Sequence, residues 1–465
     1  MVDLDQVSRN KKTSASFALF LVGFELQNKK FKPKDFRMDA KVSSYLPYVF
    51  RCFQGFTTVD IKEFIKDERL EIHLKSNPKR VRVCNVCGHK LGAMKDSYPV
   101  TAKHLRVMSW QVEVCFFREK RHCSNCKKVR SEWIDWICPT SPHMTMELAW
   151  WINRLSEITT VLQVSKLESI DKMACYEVDK YILQRLLQGY QIPNVTHISV
   201  DEVYARSAKQ QKKNETRDDL FLTVIIDHRT HKVIWVSPSR RKEALDAFFE
   251  MIGDDACKKI KVVTCDQHRG YAESVAEYCP QADLVWDRFH LVQSFNEALN
   301  EERKKEWDKY GDPEQDDDLL AGKYRYIYLT KAKNRSKKDQ WHINEVMNRN
   351  KKISIMEIIK EHFHRLFETQ DEAQAKEILN ECYEWSYEAK ATNLIKYFWA
   401  LMERKELWNY FKHRLTSGVS EGVNRTIKTL KWAAYGYKDM GYFALKIMQK
   451  CGYLNSKYAL EWLYN

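Results

Sequence analysis

The sequence predicts an α/β core interrupted by an all-helical insertion, preceded by a small cysteine-bearing β domain and a helical segment. Three observations predict this class. From His197 to Trp286, apolar runs and amphipathic stretches follow the order β-β-β-α-β-α-β. From Phe289 to about Lys412, helical patterning persists and no strand pattern appears. Ahead of both, Cys84-Asn85-Val86-Cys87 and Cys123-Ser124-Asn125-Cys126 form two CxxC pairs.

The chain has 465 residues, room for two to four domains each with its own core. Hydrophobic residues make up 44% and charged residues 30%, values that fit a soluble globular protein. A formal charge of +14 suits a polyanionic partner, either nucleic acid or a membrane surface. Ala15–Phe24 is apolar and follows Arg9, Lys11 and Lys12, but Glu25-Leu26-Gln27-Asn28 comes next instead of a small-residue cleavage site. The run is also too short to span a bilayer, so a buried helix or strand is expected and no membrane partner. Thirteen cysteines without a secretory signal point to a reducing, cytoplasmic compartment and to metal binding.

Residues 1–80 show no sustained period and are left as an unassigned extension. Residues 81–140 hold the CxxC pairs. Each brings two thiolates to one side of a tight turn, and Cys84, Cys87, Cys123 and Cys126 together make a tetrahedral Zn²⁺ site. The 35 residues between the pairs are filled by strand-like runs, Val100–Arg106 and Ser109–Phe117, as in a zinc ribbon. His89 and His122 are alternative ligands. Arg121, Lys127 and Lys128 beside the second pair suit phosphate contact or form a solvated face. Residues 141–192 read as short helices, either a helix-turn-helix DNA reader or a linker, and the glycine usual in such a turn is missing.

Residues 193–290 form the first part of the core. His197–Tyr204 alternates as a half-buried strand, and Leu220–Ile226 and Lys232–Val236 follow it. Glu243–Ile252 is helical. Ile260–Cys265 is a buried strand ending at Asp266, Gly270 breaks the pattern, a helix runs from Ala272, and Ala282–Trp286 is the fifth strand. This is the ribonuclease H-like order, in which the first and fourth strands adjoin and bring Asp201 to Asp266. Asp266 is otherwise a helix-capping turn residue. Residues 291–412 are the helical insertion, with helices at Leu291–Glu306, Ile353–Phe367, Glu372–Ala389 and Ala391–Arg404. Gly311–Asp318 and Lys331–Lys338 are polar connectors. Residues 413–465 complete the core. There Val423, Ile427, Leu430 and Ala434 form an apolar helical stripe, and Glu421, Asn424 and Lys428 form another face. Ser417 is the expected N-cap. Glu421 then either compensates the helix dipole or acts in catalysis. Gly422 costs about 1 kcal/mol in the helix, which close approach of DNA backbone or metal explains.

Two aspartates on adjacent strands and a glutamate on a late helix can hold two Mg²⁺ or Mn²⁺ ions for phosphodiester chemistry. In CNVCG…CSNC, SVDE, CDQHRGYAESVAEYCPQADLVWDRFHLVQ and SGVSEGVNRTIKTLKWAAYGYKD, the sequence resembles the DDE transposases of bacterial insertion sequences, specifically the ISL-three family. The resemblance implies that Asp201, Asp266 and Glu421 form the metal-binding triad. It implies that Asp287-Arg288-Phe289-His290 matches a DxxH signature, with His290 either contacting the scissile phosphate or capping a helix. It implies cleavage and strand transfer at terminal inverted repeats of double-stranded DNA, by a homodimer or larger assembly. Arg425, Lys428 and Lys431 are expected phosphate contacts. A ribonuclease H-like nuclease or resolvase is one alternative, and an inactive transposase-derived zinc-ribbon regulator is another.

Overall fold

Alternation of apolar and polar residues builds a first sheet, in which Val112, Val114 and Phe116 turn inward at every second position of a long strand. The structure, a computed structural model, describes residues 53–211, 213–311, 314, 318–415 and 418–455. The apolar run at 15–24 and the expected cap Ser417 lie outside these residues.

The first sheet comprises β1 (Phe56–Phe64), β2 (Arg69–Ser76), β3 (Met94–Val107), β4 (Trp110–Cys123) and β5 (Lys128–Ser131). Its order is β1-β2-β4-β3, with β5 also on β4. β3 and β4 form an antiparallel hairpin, longer than the two expected runs, and β2 pairs with β4 in parallel. The division drawn at residue 80 therefore cuts through one sheet.

Three helices follow: α1 (Met146–Ile158), α2 (Val161–Glu168) and α3 (Lys172–Gly189). Thr145 caps α1, a Thr160–Gln163 capping box starts α2, and Asp171 caps α3. Between α2 and α3, Ser169 adopts φ 53°, the left-handed conformation that glycine usually supplies in such turns.

The second sheet contains β6 (His197–Tyr204), β7 (Phe221–Asp227), β8 (Lys232–Pro238), β9 (Val262–Cys265) and β10 (Asp283–Trp286). Three helices are interleaved: α4 (Lys242–Ile252), α5 (Asp254–Cys257) and α6 (Arg269–Tyr278). The order is β10-β9-β6-β7-β8, so the first and fourth strands are neighbours. β6, β9 and β10 are parallel, whereas β7 and β8 are antiparallel additions. Every residue of β9 is buried, as a strand covered on both faces requires. Ile198, Ile225 and Ile234 pack with α4 and α6 on one face, and Val203, Val224 and Val233 belong on the other to a core that also includes residues of α1 and α3. Gly270 lies inside the first turn of α6 instead of before it. A Cβ there would come within 3.3 Å of the Lys242 backbone nitrogen.

The next stretch holds helices and no strand among its described residues: α7 (Arg288–Tyr310), α8 (Arg325–Leu329), α9 (Lys337–Arg349), α10 (Lys351–Leu366), α11 (Glu372–Glu388), α12 (Thr392–Met402) and α13 (Lys405–His413). They share a core around Phe295, Phe363 and Phe398. α13 returns the chain to the sheet, where Asn409 Nδ2 donates to the Leu284 carbonyl at 2.9 Å and Lys412 and His413 pair with Asp283. Then α14 (Gly418–Ala433) and α15 (Met440–Cys451) join the core that includes α1 and α3. In α14, Val423 and Ile427 are buried and Leu430 packs against the same core.

Candidate active site and metal centre

Strand register brings carboxylates together. β6 and β9 are parallel with Ser199 opposite Thr264. Asp201 and Asp266 each lie two residues further on, so both follow that pair on the same face. On the next strand, Trp286 lies opposite Cys265, and the Asp287 N–H donates to the Cys265 carbonyl at 2.9 Å. Three neighbouring parallel strands thus present an aspartate near the C-terminal edge of the sheet, where open α/β sheets place their ligands. Asp201, Asp266, Asp287 and His290 line one pocket with Ser199, Thr264, Trp286 and Ser420.

The carboxylates are held individually. Asp266 Oδ1 accepts from the His268 N–H at 3.0 Å, and Asp287 Oδ1 accepts from the Phe289 N–H at 2.9 Å and caps α7. Asp201 Oδ1 accepts from the Glu202 N–H at 2.7 Å, and Asp201 Oδ2 accepts from Asn424 Nδ2 at 2.7 Å. Burial pushes the Asp201 carboxyl up to about 6; the Glu202 N–H and His290 oppose the rise, and Asp287 and Asp266 add to it. Glu202 is also raised, through burial and Asp266, although Arg240 pairs with it at 3.1 Å. Crowded carboxylates of this kind favour a hard divalent cation, for which their oxygens are suitable donors.

Glu421 is placed differently. It lies in the first turn of α14, its side chain is 71% exposed, and it pairs with Arg425 at 3.2 Å. It does not line the pocket, and among the described residues the three expected carboxylates do not form a ligand group within 4.8 Å. Its neighbours do reach the sheet: Ser420 and Ser199 share a 2.6 Å hydrogen bond, and Asn424 holds Asp201. Gly422 has nothing within 4 Å of a built Cβ, so no crowding within the described chain accounts for it.

The family of ISL3-type DDE transposases, described as "Transposase", matches residues 198–447, more than half of the chain. The chain belongs to this family. The transposase is also similar to the transposase for insertion sequence element IS1001 of Bordetella parapertussis, 23% identical over 81% of this chain and 90% of that protein. It is 23% identical to the transposase for insertion sequence element IS1557 of Mycobacterium tuberculosis, over 53% of this chain and 58% of that protein. Membership makes it a DNA-cleaving and strand-transferring enzyme that uses divalent metal. No helix among the described residues is long and apolar enough to cross a membrane.

The second centre of the transposase is a thiol cluster. Cys84, Cys87, Cys123 and Cys126 place their sulfurs within 4.8 Å of one another. Three pairs measure 3.9, 3.5 and 3.4 Å. A tetrahedral zinc with Zn–S of about 2.3 Å needs sulfurs about 3.8 Å apart, so the cluster fits that ion. Two similar turns form it. Gly88 at φ 72° follows one pair and Lys127 at φ 51° follows the other. In each, a backbone N–H points at the first sulfur: Val86 to Cys84 and Cys126 to Cys123, both at 3.4 Å. His89 and His122 are outside this ligand group. Glu71, His73 and Cys115 also approach one another, but Arg69 already bridges Glu71 and Glu113, and His73 bonds Glu71.

The expected phosphate contacts divide into two groups. Lys127, Lys128, Arg425 and Lys428 are exposed. Arg121 is committed to Glu119 and to the Gly92 carbonyl, and Lys431 donates to the Tyr204 carbonyl at 3.0 Å. The sequence reading placed Asp287 in the DxxH signature and Asn424 on the Glu421 face, without a role for either beside Asp201 and Asp266. The equal position of Asp287 after a parallel strand, and the one-turn spacing of Asn424 from Glu421, were the available signals.

Proposed function

We propose that Asp201, Asp266 and Glu421 bind the divalent ions with which this transposase cuts insertion-sequence ends and joins them to target DNA. Two such ions would activate the attacking oxygen and stabilise the leaving oxygen of the phosphodiester. The reading rests on the parallel register that sets Asp201 and Asp266 at equal offsets in the pocket. Glu421 sits one helical turn before Asn424, on a helix anchored to β6 by Asn424 and Ser420. Its pair with Arg425 is exposed on both sides and worth about 0–1 kcal/mol. Side-chain rotation then carries Glu421 inward while Arg425 turns to a DNA phosphate. His290, 3.9 Å from Asp287, stands at the start of α7 where it can donate to the scissile phosphate.

In this reading the β6–β10 sheet is a ribonuclease H-like core, and α7–α13 form its helical insertion. The thiol cluster holds structural Zn²⁺ in a zinc ribbon, and α2–α3 form a helix-turn-helix whose turn residue is Ser169. Ribbon and helices bind the terminal inverted repeats, with Lys127 and Lys128 on phosphates. Mg²⁺ or Mn²⁺ occupies the carboxylate site, and two or more copies pair the DNA ends.

The test is cleavage of element-end DNA by purified Asp266→Asn and Glu421→Gln. Both should lose at least 1,000-fold in cleavage and strand transfer while end binding stays within twofold. Undiminished cleavage by either folded variant removes that residue from the triad.

A further inference from the structure

Asn424 has one half of its amide in use and the other buried without a partner among the described residues. Its Nδ2 donates to Asp201 Oδ2 at 2.7 Å. A carboxylate can only accept, which fixes the nitrogen toward Asp201 and leaves Oδ1 on the other side. That Oδ1 is buried and has no hydrogen-bond partner among the described residues. An orphaned amide oxygen costs about 1–3 kcal/mol, which a further ligand at this position would offset. The helix leaves little room for Asn424 to turn away. Val423 and Ile427 are buried on either side of it, and Ser420, one turn earlier, is bonded to Ser199.

We propose that Asn424 belongs to the metal site: its Nδ2–H fixes the Asp201 carboxylate, and its Oδ1 supplies an uncharged oxygen donor beside it. Amide oxygens are suitable ligands for hard divalent ions, and a neutral donor adds coordination without adding to the carboxylate repulsion around Asp201. The same amide ties α14 to β6, so helix and sheet present their ligands as one unit. The proposal rests on the assignment of Asp201 and Asp266 as metal ligands.

The experiment measures Mn²⁺ binding by electron paramagnetic resonance on the full chain, without turnover. Asn424→Ala and Asn424→Ser are compared with wild type, Asp201→Asn and Asp266→Asn. End-DNA binding without added Mn²⁺ or Mg²⁺, with zinc retained, and thermal melting serve as controls for folding. Both Asn424 variants are expected to weaken Mn²⁺ binding 10-fold or more, the loss typical of a ligand-orienting partner. They should also change the Mn²⁺ hyperfine spectrum at saturation, while DNA binding without added Mn²⁺ or Mg²⁺ stays within twofold. If folded Asn424 variants bind Mn²⁺ within twofold of wild type and the aspartate variants do not, Asn424 is only a helix anchor and the proposal fails alone. If the aspartate variants also bind normally, the carboxylate assignment fails and takes the proposal with it. Should Asn424→Ala melt early, the serine variant decides.

Discussion

Cys87 and Cys126 share one cluster yet are driven in opposite directions. The His89 backbone N–H and the Asn125 side chain hold Cys87 down at about 5, whereas hydrogen bonding to Cys87 pushes Cys126 up to about 12. The cluster thus accepts a first negative charge readily and resists a second until a cation arrives. Cys87→Ser removes one of the four thiolate ligands. Mass spectrometry of purified protein should find one zinc per chain in wild type and less than a tenth of that in the variant. Retention of a full zinc equivalent by Cys87→Ser would dismiss the four-thiol site. Asp201 presents the complementary case, a carboxyl pushed up to about 6 chiefly by its own burial. A divalent ion beside it offsets that cost.

The elements are joined by polar contacts as much as by apolar ones, and α15 is the clearest case. Lys446 is buried and donates to the Ser156 carbonyl at 2.8 Å and to Asp179 Oδ2 at 3.1 Å. Asp179, fully buried on α3, also accepts from Asn153 Nδ2 at 2.7 Å and from the Tyr442 hydroxyl at 2.5 Å. This network fastens α1 and α3 to the last described helix. Asp179→Ala leaves Lys446 charged and unpaired in the interior, which costs about 3–5 kcal/mol. Urea unfolding should show that loss, and Lys446→Met in the same background should recover part of it. A loss below about 1 kcal/mol would mean that water reaches the site. Elements with a strong period were legible in the sequence, and His197–Tyr204 forms β6 with the bounds expected. β1 was not, because its burial follows no alternation, and α9 and α13 were hidden by polar residues and by tryptophans facing outward or sideways. Asp201 and Asp266 stood out at strand positions. Asp287 and Asn424 did not, because their placement depends on the register between strands and on how α14 docks, neither of which is local.

Across the whole molecule, burial of neutral histidines sets a common pH limit. His104 in the first sheet, His228 beside the second and His364 in the helical stretch are each pushed down to about 4 by burial. His104 and His228 have hydroxyl partners, Thr145 at 2.8 Å and Thr264 at 2.9 Å. In the unfolded chain a histidine titrates near 6.5, so protons bind the unfolded state more tightly. The stabilising contribution is therefore complete above about pH 6.5 and is lost as pH falls toward 4, on the order of 2 kcal/mol per histidine. Asp439 works in another window. Burial raises it, but Lys180 at 2.6 Å, the Tyr442 N–H and the Tyr176 hydroxyl outweigh that and hold it at about 2. Its contribution is lost only below about pH 4. Urea midpoints should thus fall between pH 6.5 and 4.5, the loss from three histidines outweighing the opposite contribution of the raised Asp201 carboxyl. The triple variant His104→Gln, His228→Gln, His364→Gln should flatten that interval while starting from a lower midpoint at pH 7. A wild-type midpoint unchanged from pH 7 to 4.5 would show that these histidines gain water or a counter-charge as readily folded as unfolded.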